Sequence, residues 1–157
     1  MKNLKKGFSF IEILVVVTII GVIAAIGTVT YTSAQKKSRD GRRKKDLQSL
    51  RFAIEEYRAF NLEYPGETCC SGTLYSSCGS SNGIDWLPAD LQSEFPSGIK
   101  DPKNTEPFCY YYMPGSYELS AVLEKDNDGL NDGGNQNDLV SGGGSIFEIG
   151  SDLNLIT

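Results

Sequence analysis

Lys5-Lys6-Gly7-Phe8-Ser9-Phe10-Ile11-Glu12 opens the stretch that decides how this chain folds. Two lysines and a glycine give way to an uncharged run of 28 residues, Phe8 to Gln35, in which Glu12 alone is charged at neutral pH. A run of that length can cross a bilayer as a helix. Ile11, Ile13, Leu14, Val15, Val16, Val17, Ile19, Ile20, Val22, Ile23 and Ile26 make that helix apolar all round, as expected when lipid or like helices surround it. A charge inside such a segment costs about 2.5–3.5 kcal/mol on insertion scales, so Glu12 reads as functional. A secretory signal peptide would have an apolar stretch of about 7–15 residues followed by a small-residue cleavage site. Here the run is far longer, and Ala24-Ala25 lies inside it. A plain signal anchor fits the length but leaves Glu12 without a purpose.

Beyond the apolar run comes Lys36-Lys37-Ser38-Arg39-Asp40-Gly41-Arg42-Arg43-Lys44-Lys45. Basic clusters usually flank a membrane helix on its cytoplasmic side. Lys2, Lys5 and Lys6 compete for that side, so charge alone leaves the orientation open. Once copies assemble, these cations are expected to meet acidic groups of neighbouring subunits, with solvated charge or lipid headgroup contact as the alternative. Leu47, Leu50, Ile54, Tyr57 and Asn61 then follow helical steps of three and four, the first four forming an apolar face. Asp40 and Lys44, and Arg51 and Glu55, stand at i, i+4. Pro65-Gly66 ends the pattern. One helix from about Phe8 to Phe60 is predicted, ~80 Å long, with its amphipathic half buried against a soluble head. Gly21 and Gly27 weaken it by about 1 kcal/mol each, and Thr28-Val29-Thr30 adds β-branched residues. Gly21 to Thr30 is therefore the candidate stretch for unwinding, or else the glycines serve close helix packing.

The head, residues 62–157, is rich in glycine, serine and asparagine. Phe108 to Met113 reads as an aromatic strand, and in Tyr117 to Glu124 the residues Tyr117, Leu119, Ala121 and Leu123 face one way. Met113-Pro114-Gly115-Ser116 joins them as a hairpin turn. Ile146 to Ile149 is a third strand, and Leu87 to Phe95 holds a short helix. A small antiparallel sheet on a long helix is the α+β class.

Charge is unevenly split. The chain carries 15 basic and 20 acidic residues. From Ala59 onward only Lys100, Lys103 and Lys125 oppose 15 carboxylates, a balance of −12. A head this acidic repels duplex phosphates, so no direct nucleic-acid binding is expected. Cations are another matter. Asp126-Asn127-Asp128-Gly129-Leu130-Asn131-Asp132-Gly133 alternates oxygen side chains with glycine, and Asp126, Asp128, Asp132 and Asp138 form a candidate calcium site. The bidentate Glu of an EF-hand is missing at the twelfth position, and a merely solvating acidic loop is the alternative.

Cys69, Cys70, Cys78 and Cys109 are an even set, which in a head outside the cytoplasm, where the resemblance described below places it, argues for two disulfides with three connectivities. A bridge between adjacent Cys69 and Cys70 would be strained, so one is expected to reach Cys78 and the other Cys109. Zinc is the competitor. With no histidine in the chain it would need all four thiolates, and paired knuckles are absent. The lack of histidine also removes Ser-His and Cys-His dyads, and no phosphate-binding glycine motif precedes a helix. No enzyme activity is expected.

Gly7 before an aromatic residue, with Glu12 five positions after the glycine, resembles the processing site of type IV pilins and their pseudopilin relatives. The resemblance implies that a prepilin peptidase cuts between Gly7 and Phe8 and N-methylates Phe8. It places Glu12 at the family's assembly glutamate. Asp101-Pro102 followed by Phe108-Cys109-Tyr110-Tyr111-Tyr112 is similar to the Asp-Pro…aromatic strand of major pseudopilins. The implied fold is the pilin fold. Its parts are a leader at 1–7, a transmembrane and polymerising half-helix at 8–35, an amphipathic half at 36–61, and a disulfide-bonded head at 62–157. In the family the segment between a glycine and a later proline often unwinds, but Val29 stands here where that proline would fall. Major pseudopilins hold calcium in an acidic loop near the last strand, which adds to the calcium reading; no cofactor is otherwise required.

The implied function is a structural subunit of a type IV pilus-like surface filament. The alternative is the major pseudopilin of a type II secretion system, in a short periplasmic fibre, and a monomeric membrane-anchored binding module is a third reading. The implied partners are further copies in a helical filament, the prepilin peptidase and an inner-membrane assembly platform. The precursor is expected in the inner or cytoplasmic membrane and the assembled form at the cell surface.

Overall fold

The computed structural model describes residues 7–66, 74–125, 146–152 and 156. Its elements are α1 (Phe10–Asn61), β1 (Tyr75–Ser76), α2 (Ala89–Gln92), β2 (Tyr110–Met113), β3 (Glu118–Val122) and β4 (Ile146–Gly150). The four strands form one sheet in the order β1-β2-β3-β4, each pair antiparallel. By contacts the chain divides into two compact units, residues 1–36 and 37–157.

In the first unit the helix begins after Ser9, whose carbonyl accepts the N–H groups of Glu12 at 3.1 Å and Ile13 at 3.3 Å. Its most apolar window has a mean hydropathy of 2.7 and none of it is buried, so by length and composition α1 can cross a membrane. Helix runs without a break through Gly21 and Gly27, the stretch singled out for unwinding.

In the second unit Leu47, Leu50 and Ile54 are fully buried and Tyr57 is half-buried, so the four-residue apolar face packs inward, while the polar Asn61 is exposed. Burial of each such aliphatic side chain contributes about 1.5–3 kcal/mol. They join a core with Tyr110 and Tyr112 of β2, Leu119 and Ala121 of β3, and Phe147 and Ile149 of β4. The predicted hairpin forms with Met113 opposite Glu118, and β4 pairs Ile149 with Leu119. Two tyrosines fasten the sheet to the helix. The Tyr110 hydroxyl donates to Asp46 and that of Tyr117 to Glu55, each at 2.8 Å. Glu55 thus serves the sheet, beyond the helix pairing with Arg51 that its spacing suggests.

The far face of β3 and β4 is also buried, although its Glu118, Ser120 and Glu148 look solvent-facing in sequence. Glu118 accepts the backbone N–H of Ile156 at 2.9 Å, which brings the chain's end over this face. Gly98 has φ +73, and a Cβ there would overlap the Asn82 carbonyl, so only glycine fits. That close approach lets the Ile99 N–H reach the Gly83 carbonyl at 2.8 Å, beneath the Trp86 indole, which donates to the Ile99 carbonyl at 2.7 Å.

The disulfide expectation needs correction. Cys78 pairs with Cys109, Cα atoms 5.3 Å apart, so neither is the partner of Cys69 or Cys70, which lie outside the described residues. The cause is register. Ser76 sits opposite Tyr111, and Ser77 exchanges hydrogen bonds with Tyr110, which sets residue 78 beside 109. A β1 of two residues is too short to leave a sequence pattern, so this pairing was hidden. The bridge spans 31 residues of sequence. The Cys78→Ala/Cys109→Ala double variant should therefore lose about 3–4 kcal/mol in thermal unfolding of the detergent-solubilised chain.

Candidate assembly surface

Gly7 and Phe8 lie in exposed, non-helical backbone at the start of the described chain, Phe8 with 80% of its surface free. A peptidase needs accessible backbone outside regular structure, and the bond between them lies in such backbone. Glu12 follows in the first turn of α1, exposed, where a carboxylate is favoured by the helix dipole. Around it Phe10, Ile11, Ile13 and Leu14 are exposed too, so the surface of this segment is apolar except at Glu12.

The basic stretch divides in two. Arg39 and Arg43 turn into their own subunit, contrary to the expectation that they face neighbours or lipid. Arg43 is fully buried. Its Nε and Nη2 donate to the two carboxylate oxygens of Asp101 at 2.5 and 3.0 Å, and Nη1 donates to Asp40 at 2.7 Å and Glu124 at 3.0 Å. Arg39 grips Glu124 with two further bonds, 2.6 and 2.7 Å, and the Lys103 ammonium reaches it at 2.9 Å. Asp40 also accepts the Glu124 backbone N–H at 3.0 Å. Asp40 therefore serves Arg43 three residues on, and this, more than the i, i+4 spacing to Lys44, fixes its place.

Three cations face three anions, so the cluster is neutral within itself. Forked Arg–carboxylate pairs are the stronger kind of charged hydrogen bond. Burial pulls the Arg43 guanidinium toward losing its proton, but Asp101, Asp40 and Glu124 outweigh that and raise its pKa. The hydrogen bonds from Arg39 hold Glu124 well below the usual carboxylate range, against its own burial, with Lys103 and Arg43 adding to the effect. A depressed carboxylate stabilises the fold above its unfolded pKa and loses that contribution as pH falls. Stability of the chain should accordingly hold at neutral pH and decline below about pH 4.5. Glu124→Gln should flatten that acid limb in unfolding midpoints measured from pH 7 to 3.

Arg42 and Lys45 stay outward. Arg42 keeps 63% of its side chain exposed and meets only a long surface pairing with Asp46 at 3.5 Å. Lys45 is exposed. The expected metal ligands Asp126, Asp128, Asp132 and Asp138 lie outside the described residues, and among the described residues no group of three or more ligating side chains comes together.

Sequence reasoning missed Asp101 and Glu124 as clamp residues, having read the first as a strand marker and the second as a strand end. A signal was present. Stepping back by four from Leu47 gives Arg43 and then Arg39, so the buried stripe of α1 continues through charged residues.

A family model described as the prokaryotic N-terminal methylation motif matches residues 2–28. The type IV major fimbrial protein FimA of Dichelobacter nodosus is 42% identical over 83 residues, 53% of this chain and 52% of that protein. A fimbrial protein of Neisseria meningitidis serogroup B is 29% identical over 77 residues, 49% of this chain and 45% of its own length. Another fimbrial protein of Dichelobacter nodosus is 28% identical over 129 residues, 82% of this chain and 65% of that relative. The chain thus spans about half the length of the first two. No solved structure matches it. The chain thus carries the methylation motif at residues 2–28, is similar to type IV fimbrial proteins over part of its length, and has the long helix and small antiparallel sheet of a pilin-like α+β architecture.

Proposed function

We propose that this chain is the precursor of a structural subunit that polymerises through its N-terminal helix into a type IV pilus-like filament. The observation that carries the reading is a lone carboxylate, Glu12, on an exposed apolar helix that begins just after the Gly7–Phe8 bond. Cleavage there frees an ammonium at Phe8. In a bundle of parallel copies that ammonium neutralises Glu12 of a neighbour, and the pair fixes axial register as lone buried polar groups do in helical bundles. The prepilin peptidase and an assembly platform in the membrane are the partners this requires. The precursor resides in the membrane and the polymer at the cell surface. The fimbrial relatives support a structural subunit rather than an enzyme.

The Asp101-Pro102 segment before an aromatic strand favours a second reading, the major pseudopilin of a type II secretion system. Mass spectrometry of the mature N-terminus is the test of processing. A chain beginning at Phe8 and one methyl group heavier is the expected result; an intact Met1 in the membrane fraction would end the filament reading. Electron microscopy of sheared surfaces then separates long fibres from a short periplasmic polymer and from a monomeric anchored module.

A further inference from the structure

Between the last turns of α1 and α2 lies a cleft of about 190 Å³ whose walls include Glu56, Tyr57, Phe60, Asp90 and Glu94. Three carboxylates and two aromatic rings surround it, and among the described residues no cationic side chain lines it. Such a lining suits an ammonium or a guanidinium, which gains from the carboxylates and from the ring faces together. The field in the cleft is felt by the Tyr57 phenol, whose pKa is raised first by burial and then by the Asp90 and Glu63 carboxylates.

The same outer face of α1 carries, at helical spacing, Arg42, Lys45, Phe52, Glu56 and Phe60, all exposed. One end of this face is basic and the other acidic and aromatic. The two ends are held about 15 residues apart on one helix, ~22 Å, so the basic end cannot reach the cleft of its own chain. We propose that the cleft receives Arg42 and Lys45 of a second copy, displaced along the helix axis by about 15 residues. Arg42 and Lys45 are three positions apart, as are Tyr57 and Phe60, so a single displacement seats both cations beside the two rings.

The contact joins unlike surfaces, basic end to acidic cleft. Between parallel copies displaced along one axis the contact is head-to-tail, so it propagates as a ring or an open helical array instead of closing into a pair. The exposed rings of Phe52 and Phe60, 74% and 80% free in the single chain, lie on the face that the contact would cover. The Arg42–Asp46 pairing is a surface i, i+4 contact of the weak kind, so it leaves the guanidinium available to a partner.

This proposal rests on the filament reading, and the full-length chain expressed in its membrane with the assembly apparatus tests both. Glu56→Lys/Glu94→Lys and Arg42→Glu/Lys45→Glu should each lower sheared filament yield about tenfold or more, because like charges then meet. Combining all four substitutions should restore yield to within about threefold of the parent, since the charges again oppose. Filament yields unchanged in either charge-reversed variant would overturn the cleft contact while leaving the filament standing. So would a combined variant as depleted as its components, with each variant's thermal unfolding checked against the parent. A parent chain that forms no filament at all removes the filament reading, and the cleft contact with it.

Discussion

A Glu12→Ala chain should still be cut after Gly7 but should yield at least about tenfold fewer filaments than the parent. Two effects add. The parent subunit carries a carboxylate that lipid penalises by about 2.5–3.5 kcal/mol, and in the proposed filament a neighbour's Phe8 ammonium would relieve that penalty. Alanine removes the penalty, so the variant subunit rests comfortably in the membrane and loses a reason to leave it. Alanine also removes the one group that distinguishes correct axial register from a slipped one along a surface of Ile and Val. Processing should be unaffected, because the proposed cleavage point between Gly7 and Phe8 lies in exposed, non-helical backbone ahead of α1. Glu12→Gln should fail similarly, as it keeps the shape but not the charge. Immunoblots of the mature chain beside sheared filament yield give the measurement; normal filaments from either variant would show that charge pairing is not what orders the helices.

The second large effect is expected at Arg43. Arg43→Ala leaves Asp40 and Asp101 buried and stripped of their main counter-charge, at 2% exposure each. Breaking a buried pair on one side costs about 3–5 kcal/mol. Domains of this size have total stabilities of about 5–15 kcal/mol, so the loss is a large part of the whole. At roughly 4–8 °C per kcal/mol, the unfolding midpoint should fall by more than about 10 °C. Arg42→Ala, one residue earlier on the exposed face, should change stability by less than about 0.5 kcal/mol. Circular dichroism of the two variants in detergent makes the comparison. Equal midpoints would mean the clamp contributes nothing net.

The architecture was largely legible in the sequence because its signals are periodic. The uninterrupted apolar run, the Leu47-Leu50-Ile54 stripe and the alternation through Leu119 and Ala121 each map onto an element of the right type. The hairpin was readable from Pro114-Gly115, and α2 from the apolar cluster around Leu91. The candidate processing and assembly residues stand out for a different reason, since a single charge interrupts an apolar segment. What stayed hidden depends on long-range register. The Cys78–Cys109 bridge follows from a two-residue strand without a pattern of its own. The Arg43 cluster joins residues 58 and 81 positions away, and charged residues are ordinarily read as solvated. The burial of Glu118 and Glu148 escaped notice likewise, because alternation predicts a wet outer face that the fold instead covers.

The position of the arginine clamp has a mechanical meaning. Within the 37–157 unit, a pull on α1 from its N-terminal side would first meet the attachments of Arg39 to Glu124 and Arg43 to Asp101. Those forks reach the end of β3 and the segment before β2, so the pull is divided between two parts of the head at once. In the proposed filament, each subunit would then carry tension through its own interior as well as through contacts with its neighbours.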